Sequence, residues 1–414
     1  MQWLRFEGLH FENTDWIQPG EEGDPLDTAW SDPSRTIHNN GRNGRGSAGQ
    51  ADADVSGVIF LKGARNCAIE NCRIANTGWY AIDLGDGCMG NRIVGNEMFD
   101  LGGGGVKLNG AAHEDHACKL WTGNNQVTDN HIHSCGRVFF AATGIHAMHT
   151  FGNELSHNHI HDLFYTGISC GWCWGVRDSI CRENKIQYNH IHDLGHGMLS
   201  DMGGIYTLGV QPGTVLRGNL IHDVEKLNYG AWCIYPDEGS SHVLIENNVC
   251  YSTNGEIFHQ HYGRENIVRN NIFAFGADAM AAHGRVDYDH KAFTFTRNIF
   301  ISDGAPMFKA GYGCQLEDRN HESDLNLFWD VSGAEPVFAR NDGTKIDLAA
   351  WRALGHDRHA VVADPKCADA KNGDFTLAPD SPAITELGFE PIDLSSVGPR
   401  PPDKRQATPG MKRP

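Results

Sequence analysis

A short phrase of alternating apolar and polar residues returns along most of this chain. It runs Asn-x-apolar-x-Asn-x-Ile-His-Asp, then a glycine turn, then a second short apolar run. Copies include DNHIHSCG, HNHIHDLFYTG, YNHIHDLGHG, RGNLIHDV, IENNVCYSTNG and VRNNIFAFG. The second Asn of successive copies falls at Asn96, Asn130, Asn158, Asn189, Asn219, Asn248 and Asn271. These positions are roughly 23 to 34 residues apart, the spacing of a solenoid repeat. Each unit holds two or three apolar runs of strand length and no helix-length pattern. The pattern predicts an all-β parallel β-helix, a single-stranded solenoid of about 9–11 coils. The recurring Asn is expected to share one turn column, to take the left-handed conformation there and to bond to its stacked neighbour.

The phrase divides the chain. Residues 1–54 read as a first coil and a long polar loop, 55–310 as the parallel β-helix that carries any catalytic site, and 311–414 as the C-terminal end of the β-helix, a short helix and a tail. Within 25–54, and again at 110–125, polar loops are expected to shape the ends of a groove. The run DLAAWRALG has a helical pattern, with Asp347 near its start and Gly355 at its end. The last stretch, from PIDLSS onward, reads as a frayed tail. The sequence opens directly on strand-like residues, and it shows neither a signal-peptide pattern nor an apolar run of membrane-spanning length.

Charge narrows the partners. The 414 residues carry 52 acidic against 34 basic side chains, a net charge of −18. Such a surface repels nucleic acid and anionic membranes. A carbohydrate polymer or oligosaccharide suits it better, and a monomer is expected because no trimer-forming apolar face is evident. The 12 cysteines fit no disulfide scaffold. Several, such as Cys67, Cys170, Cys233 and Cys250, stand at apolar strand positions where a thiol packs as a small core residue. Cys170 and Cys173 form a C-x-x-C without the βαβ context of a redox motif.

One strand per unit follows the glycine turn, as in YAIDLG, GVKLNG, GIHAMH, GISCGW, GIYTLG, CIYPDEG and GEIFHQHYG. Side chains alternate across a strand. If Ile82, Val106, Ile145, Ile168, Ile205, Ile234 and Phe258 point inward, an outward column holds Asp83, Lys107, His146, Ser169, Tyr206, Tyr235 and His259. A second column, two residues on, holds Asn109, Met148, Gly171, Leu208, Asp237 and His261. A face with only a structural role favours Thr, Ser, Lys and Glu. Histidine, tyrosine and acid in the middle coils point to a working groove.

Two carboxylates in that groove bear on chemistry. Asp201, in SDMGGIYTLG, precedes its strand; Asp237, in CIYPDEGSS, ends the next. One coil apart, they are placed to face each other. Cleavage of a glycosidic bond needs one acid and one base or nucleophile. The competing role for both is turn capping. Sugars present apolar C–H faces to aromatic rings, and Trp79, Tyr165, Trp172, Trp174, Tyr206, Trp232 and Tyr235 are candidates, with a core role as the alternative for Trp172 and Trp232. The substrate-binding set is Tyr206, Tyr235, His259, His261, His146, Trp172, Trp174 and Glu238, with Glu238 sent by alternation to the side opposite Asp237. The His259 and His261 pair is assigned to sugar hydroxyls rather than to a metal, and no cofactor is assigned.

At these residues the chain resembles right-handed parallel β-helix carbohydrate enzymes, most closely glycoside hydrolase family 141. The resemblance is carried by VSGVIFLKGARNCAIENCRI, NHIHDLFYTGISCGWCWG, NHIHDLGHGMLSDMGGIYTLGVQPGTVLRGNLIHDV, IYPDEGSSHVLIENNV and FHQHYGRENIVRNNIFAFG, spanning about residues 55–300. It implies α-L-fucosidase-like or xylanase-like action on plant cell-wall polysaccharide, with Asp201 and Asp237 matching the family's two essential aspartates. The chain departs from the family in a shorter N-terminal part, and in GISCGWCWG where a simpler GWxWG is expected.

Two other readings compete. A polysaccharide lyase or carbohydrate esterase uses the same fold, and a lyase needs cationic groups to neutralise a uronate. A non-catalytic carbohydrate-binding β-helix has no need of paired carboxylates.

Overall fold

A computed structural model describes residues 1–15, 50–110, 120–287, 290–318 and 320–405. Three sheets of 11, 12 and 12 strands run along it. We name them A, B and C in the order a coil visits them. One coil illustrates the path: Lys185–Gln187 in sheet A, His190–Leu194 in sheet B and Met202–Thr207 in sheet C. Each strand pairs in parallel with its equivalent one coil on, until Lys345–Asp347 closes sheet C in antiparallel fashion. The fold is a right-handed parallel β-helix.

Apolar side chains stack inside it. In sheet B, Ile132, Ile160, Ile191, Ile221, Cys250 and Phe273 are register partners in one buried column. Larger rings take over towards the C-terminal end, where Phe258, Phe273, Phe293, Phe295 and Phe300 pack together. Each described cysteine is a free thiol, Cys170 in the core and Cys173 buried near Gly209.

The bend between sheets A and B carries the repeated Asn. Asn96 donates to Asn130, and the chain of Nδ2–H···Oδ1 bonds continues through Asn158, Asn189, Asn219, Asn248, Asn271 and Asn298 to Asn326, at 2.9–3.2 Å. Each Oδ1 also accepts the backbone N–H of the Asn one coil earlier, as at Asn158 N to Asn189 Oδ1. These buried amides thus satisfy the backbone groups that the corner leaves outside the sheets. The left-handed residue is the one before: Asp129, His157, Tyr188, Gly218, Asn247 and Asn270 have φ between 53° and 65°. The ladder Asn keeps ordinary φ, because its side chain must point into the core to meet its neighbour.

The outer face of sheet B changes character along the helix. Its later coils present Val249, Ile272, Ala274, Ile299, Ile301 and Leu327, covered by Ala370, Phe375, Ala383, Leu387 and Phe389 from the C-terminal region. A helix at Leu348–Ala353, capped by Asp347, closes the far end with Trp351 buried. The expected frayed tail is instead docked as far as residue 405. Ile392 and Leu394 join the apolar cover, Gly398 donates to Tyr188, and Arg400 forms a two-pronged bond to Asp129. An apolar patch on the helix wall and a bidentate ion pair hold the segment. The rest of the tail, most of the 25–54 loop and most of the 110–125 loop lie outside the described residues.

Candidate active site

The outer face of sheet C has the register that alternation predicts. Ile82, Val106, Ile145, Ile168, Ile205, Ile234 and Phe258 are successive partners and all are buried in the core. Their followers point outward, yet all seven, from Asp83 to His259, are buried. Lys107 Nζ donates to the carbonyls of Ala53 and Val55 at 2.6 Å and pairs with Asp83 at 3.6 Å. Backbone therefore lies over the early coils. His146, expected in the groove, is 0% exposed beneath the edge of Trp172, 4.5 Å away. Neither of its ring nitrogens meets a hydrogen-bond partner among the described residues. Burial holds it neutral, well below the usual histidine range. It belongs to the covered interior, so its place in the substrate-binding set is corrected.

From Tyr206 onward the column stays buried, but tyrosine and carboxylate side chains bond one another across it. Tyr206 and Tyr235 are register partners with ring centroids 4.6 Å apart. Tyr206 Oη donates to Asp237 Oδ2 at 2.5 Å, and Tyr235 Oη donates to Asp201 Oδ1 at 3.1 Å. Tyr165 Oη holds the backbone carbonyl of Asp201 at 2.8 Å. Asp201 itself has φ +63°, a conformation a non-glycine residue adopts only when its surroundings impose it. Gly230 lets the next coil approach, since a Cβ there would come within 3.0 Å of Asp201 Cα.

Burial, then the charge of Asp237, raises Asp201 to about 6, against the lowering effect of the Tyr235 bond. Burial also raises Asp237, opposed by Tyr206, His261 and Tyr235. Two carboxyl groups in one poorly solvated place resist ionising together.

Around them stands an aromatic wall. Trp232 packs on Tyr235 at 4.0 Å and stacks on His259 at 4.4 Å. Trp232 Nε1 donates to Glu256, which also pairs with Lys309 at 3.1 Å. His259 is thus a buried support in the wall, lowered to about 4 by burial. His261 meets Tyr312 Oη through Nε2 at 2.9 Å. Trp172 packs against the cluster of Tyr206, Leu208, Trp232 and Tyr235, and Trp174 lies beside it, 39% exposed. Glu238 departs from its expected side. The strand ends at Pro236, so alternation stops there. Its carboxylate accepts from Tyr262 at 3.1 Å and lies 4.0 Å from His261, on the groove side.

Several groups here escaped the sequence reading. Gln50 Nε2 donates to Tyr206 Oη at 3.4 Å and Tyr165 Oη at 3.5 Å from a polar stretch far away in the chain. Tyr229 and Tyr312 flank the groove with 59% and 69% exposure. Tyr229 stands before its strand, and Tyr312 sits on Phe308–Gly313, a sheet C strand beyond the region where the sequence repeat is legible.

Comparison with known proteins bears on the fold. The family model for the right-handed β-helix region matches residues 56–235. No curated protein matches the chain. Among solved structures, a glycoside hydrolase is 24% identical with TM-score 0.46, over 51% of this chain and 37% of that one. The chain therefore spans little more than a third of that protein. A family 6 polysaccharide lyase from Pseudopedobacter saltans is 13% identical with TM-score 0.48, over 85% of this chain and 87% of that one. The tailspike of Escherichia coli bacteriophage HK620 is 12% identical with TM-score 0.42, over 72% and 60%.

Proposed function

We propose that this protein is a glycoside hydrolase, with Asp201 as general acid and Asp237 as base or nucleophile. The reading rests on one observation. Two carboxyl groups from adjacent coils share a mostly buried site, each tethered to a tyrosine hydroxyl, with their ionisation pushed up by burial and mutual charge. Environments that separate two carboxyl groups separate their roles. Asp201, at about 6, is the one that keeps its proton further towards neutral pH. Asp237, held by Tyr206 and near His261, is the one that ionises to attack or to activate water.

Substrate binding follows from the wall. Trp172 and Trp174 offer faces to a pyranose ring, with Trp232 behind them as support, while Tyr235, His261 and Glu238 offer hydrogen bonds to hydroxyls. The acidic groove favours a neutral sugar, and the family 141 resemblance makes α-L-fucosyl or xylosyl linkages of plant cell walls the first substrates to test.

A lyase is the second reading, favoured by Tyr206, a phenol already bonded to a carboxylate. Against it, the cations described near the groove are engaged elsewhere, Lys309 with Glu256 and Arg285 over Tyr262. A screen of aryl glycosides and cell-wall polysaccharides tests both. Reducing ends without ultraviolet absorbance support the hydrolase; an absorbing unsaturated uronate overturns it.

A further inference from the structure

The outer face of sheet B, not sheet C, holds a second cluster of reactive side chains. Successive strands His131–His133, His159–Leu163, His190–Leu194 and Leu220–Val224 are in register, so the repeated Ile-His motif stacks imidazoles in two neighbouring columns. Rings stack at 4.8–5.0 Å along each column. Across the columns, nitrogens meet diagonally: His131 Nε2 to His161 Nε2 at 2.9 Å, His159 Nε2 to His192 Nε2 at 2.8 Å, and His190 Nε2 to His222 Nε2 at 3.0 Å. The rings are half-buried, so the strip is reachable from solvent. It stops at Leu220 and Val249, where the face turns apolar and the C-terminal segment covers it.

We propose that this strip binds divalent transition-metal ions, in a tetragonal geometry that suits Cu(II) or Ni(II) better than Zn(II). Three groups of side chains bring ligand atoms within 4.8 Å of one another: His131, His159 and His161; His159, His190 and His192; and Glu97, His131 and His133. Two nitrogens each about 2.0 Å from one ion lie about 2.8 Å apart at a right angle and about 3.3 Å apart at the tetrahedral angle. Within the groups, His159 to His192 at 2.8 Å and His131 to His161 at 2.9 Å match the right angle.

The orientation of the rings supports ligation. His192 Nδ1 bonds Asp193 at 2.8 Å and His222 Nδ1 bonds Asp223 at 2.7 Å. A carboxylate on Nδ1 holds the proton there and turns the Nε2 lone pair towards the strip, as it does behind ligating histidines generally. Burial first, then neighbouring histidines, lowers His159 and His190 to about 3 and His161 to about 4. These three rings are therefore neutral at physiological pH.

Shared ligands set the capacity. The central group uses His159 and His131, which the two outer groups also need. The two outer groups share nothing, so they fill together and hold two ions per chain.

The test is titration of the full chain, prepared without a histidine tag, with CuCl2 and NiCl2 in a non-chelating buffer. Bound metal is counted after desalting, and electron paramagnetic resonance reads the Cu(II) sample. Two ions per chain with nitrogen superhyperfine splitting are expected. His161→Gln leaves both outer groups intact and should still bind two. His131→Gln/His159→Gln breaks all three groups and should retain less than a tenth of the metal. Undiminished binding by the double variant, or a Cu(II) spectrum without nitrogen splitting in the wild type, overturns the proposal. The spectrum decides the matter even if the double variant folds poorly.

Discussion

Tyr206 and Tyr235 sit side by side on adjacent strands, and their hydroxyls cross. The tyrosine that follows Asp201 in sequence serves Asp237, and the one that precedes Asp237 serves Asp201. The carboxyl pair is thereby tied across the coil boundary. Neither aspartate can shift without disturbing the strand that carries the other.

Replacing either aspartate should stop the chemistry. Asp201→Asn and Asp237→Asn are each expected to lower kcat by roughly a hundredfold to ten-thousandfold, the usual weight of a general acid or base. Glu238→Gln should act mainly on KM, because Glu238 bonds Tyr262 and lies beside His261 rather than either aspartate. Initial rates of the three variants on one productive substrate, with circular dichroism as fold control, make the comparison. An active Asp201→Asn, or a dead Glu238→Gln, reverses the assignment.

The pH profile follows from the same pair. The acid must hold its proton, so kcat/KM should fall as pH rises through about 6, the value for Asp201. The base must be ionised, so activity should also fall at low pH, through a value above the ordinary Asp range because Asp237 is raised. Tyr206→Phe removes a bond that favours the Asp237 carboxylate. Its acidic limb should therefore move to higher pH while the basic limb stays. A bell that shifts on the basic side alone contradicts these roles.

Stability should respond in the opposite sense to activity. The raised Asp201 takes up its proton more readily when folded than when unfolded. Its contribution is fully favourable below the unfolded value near 3.9 and is lost as pH rises through about 6. At pH 7 the buried charge is a net cost, and Asp201→Asn should raise the melting temperature there while leaving it nearly unchanged at pH 4. Thermal scans at the two pH values check this; a lower melting temperature at pH 7 argues against a strained carboxylate.

The Asn ladder should be sensitive at any rung. Asn219 accepts from the backbone and side chain of Asn189 and donates to Ile186 O and Asn248. Asn219→Ala leaves those buried groups unpaired, each costing about 1–3 kcal/mol. A lowered denaturation midpoint with unchanged slope is expected, and a midpoint within error of the wild type would mean that water replaces the rung.

What could be read along the chain was whatever depends on neighbours in sequence. Side-chain parity is a local rule, so Ile205, Ile234 and Phe258 declared the inward face and Tyr206, Tyr235 and His259 the outward one. The repeat spacing likewise placed the ladder Asn in one column. Alternation fails where a strand ends, which is why Glu238 turned up on the groove side. Whether an outward residue meets solvent depends on what another part of the chain lays over it. Lys107 capped by residues 53 and 55, His146 under Trp172 and the docked tail at Arg400 are contacts between distant segments, invisible to periodicity. The crossed tyrosines and the diagonal histidine pairs are also products of stacking. Strand registry brings side chains about 30 residues apart to hydrogen-bonding distance, and only the folded coil decides which of them meet.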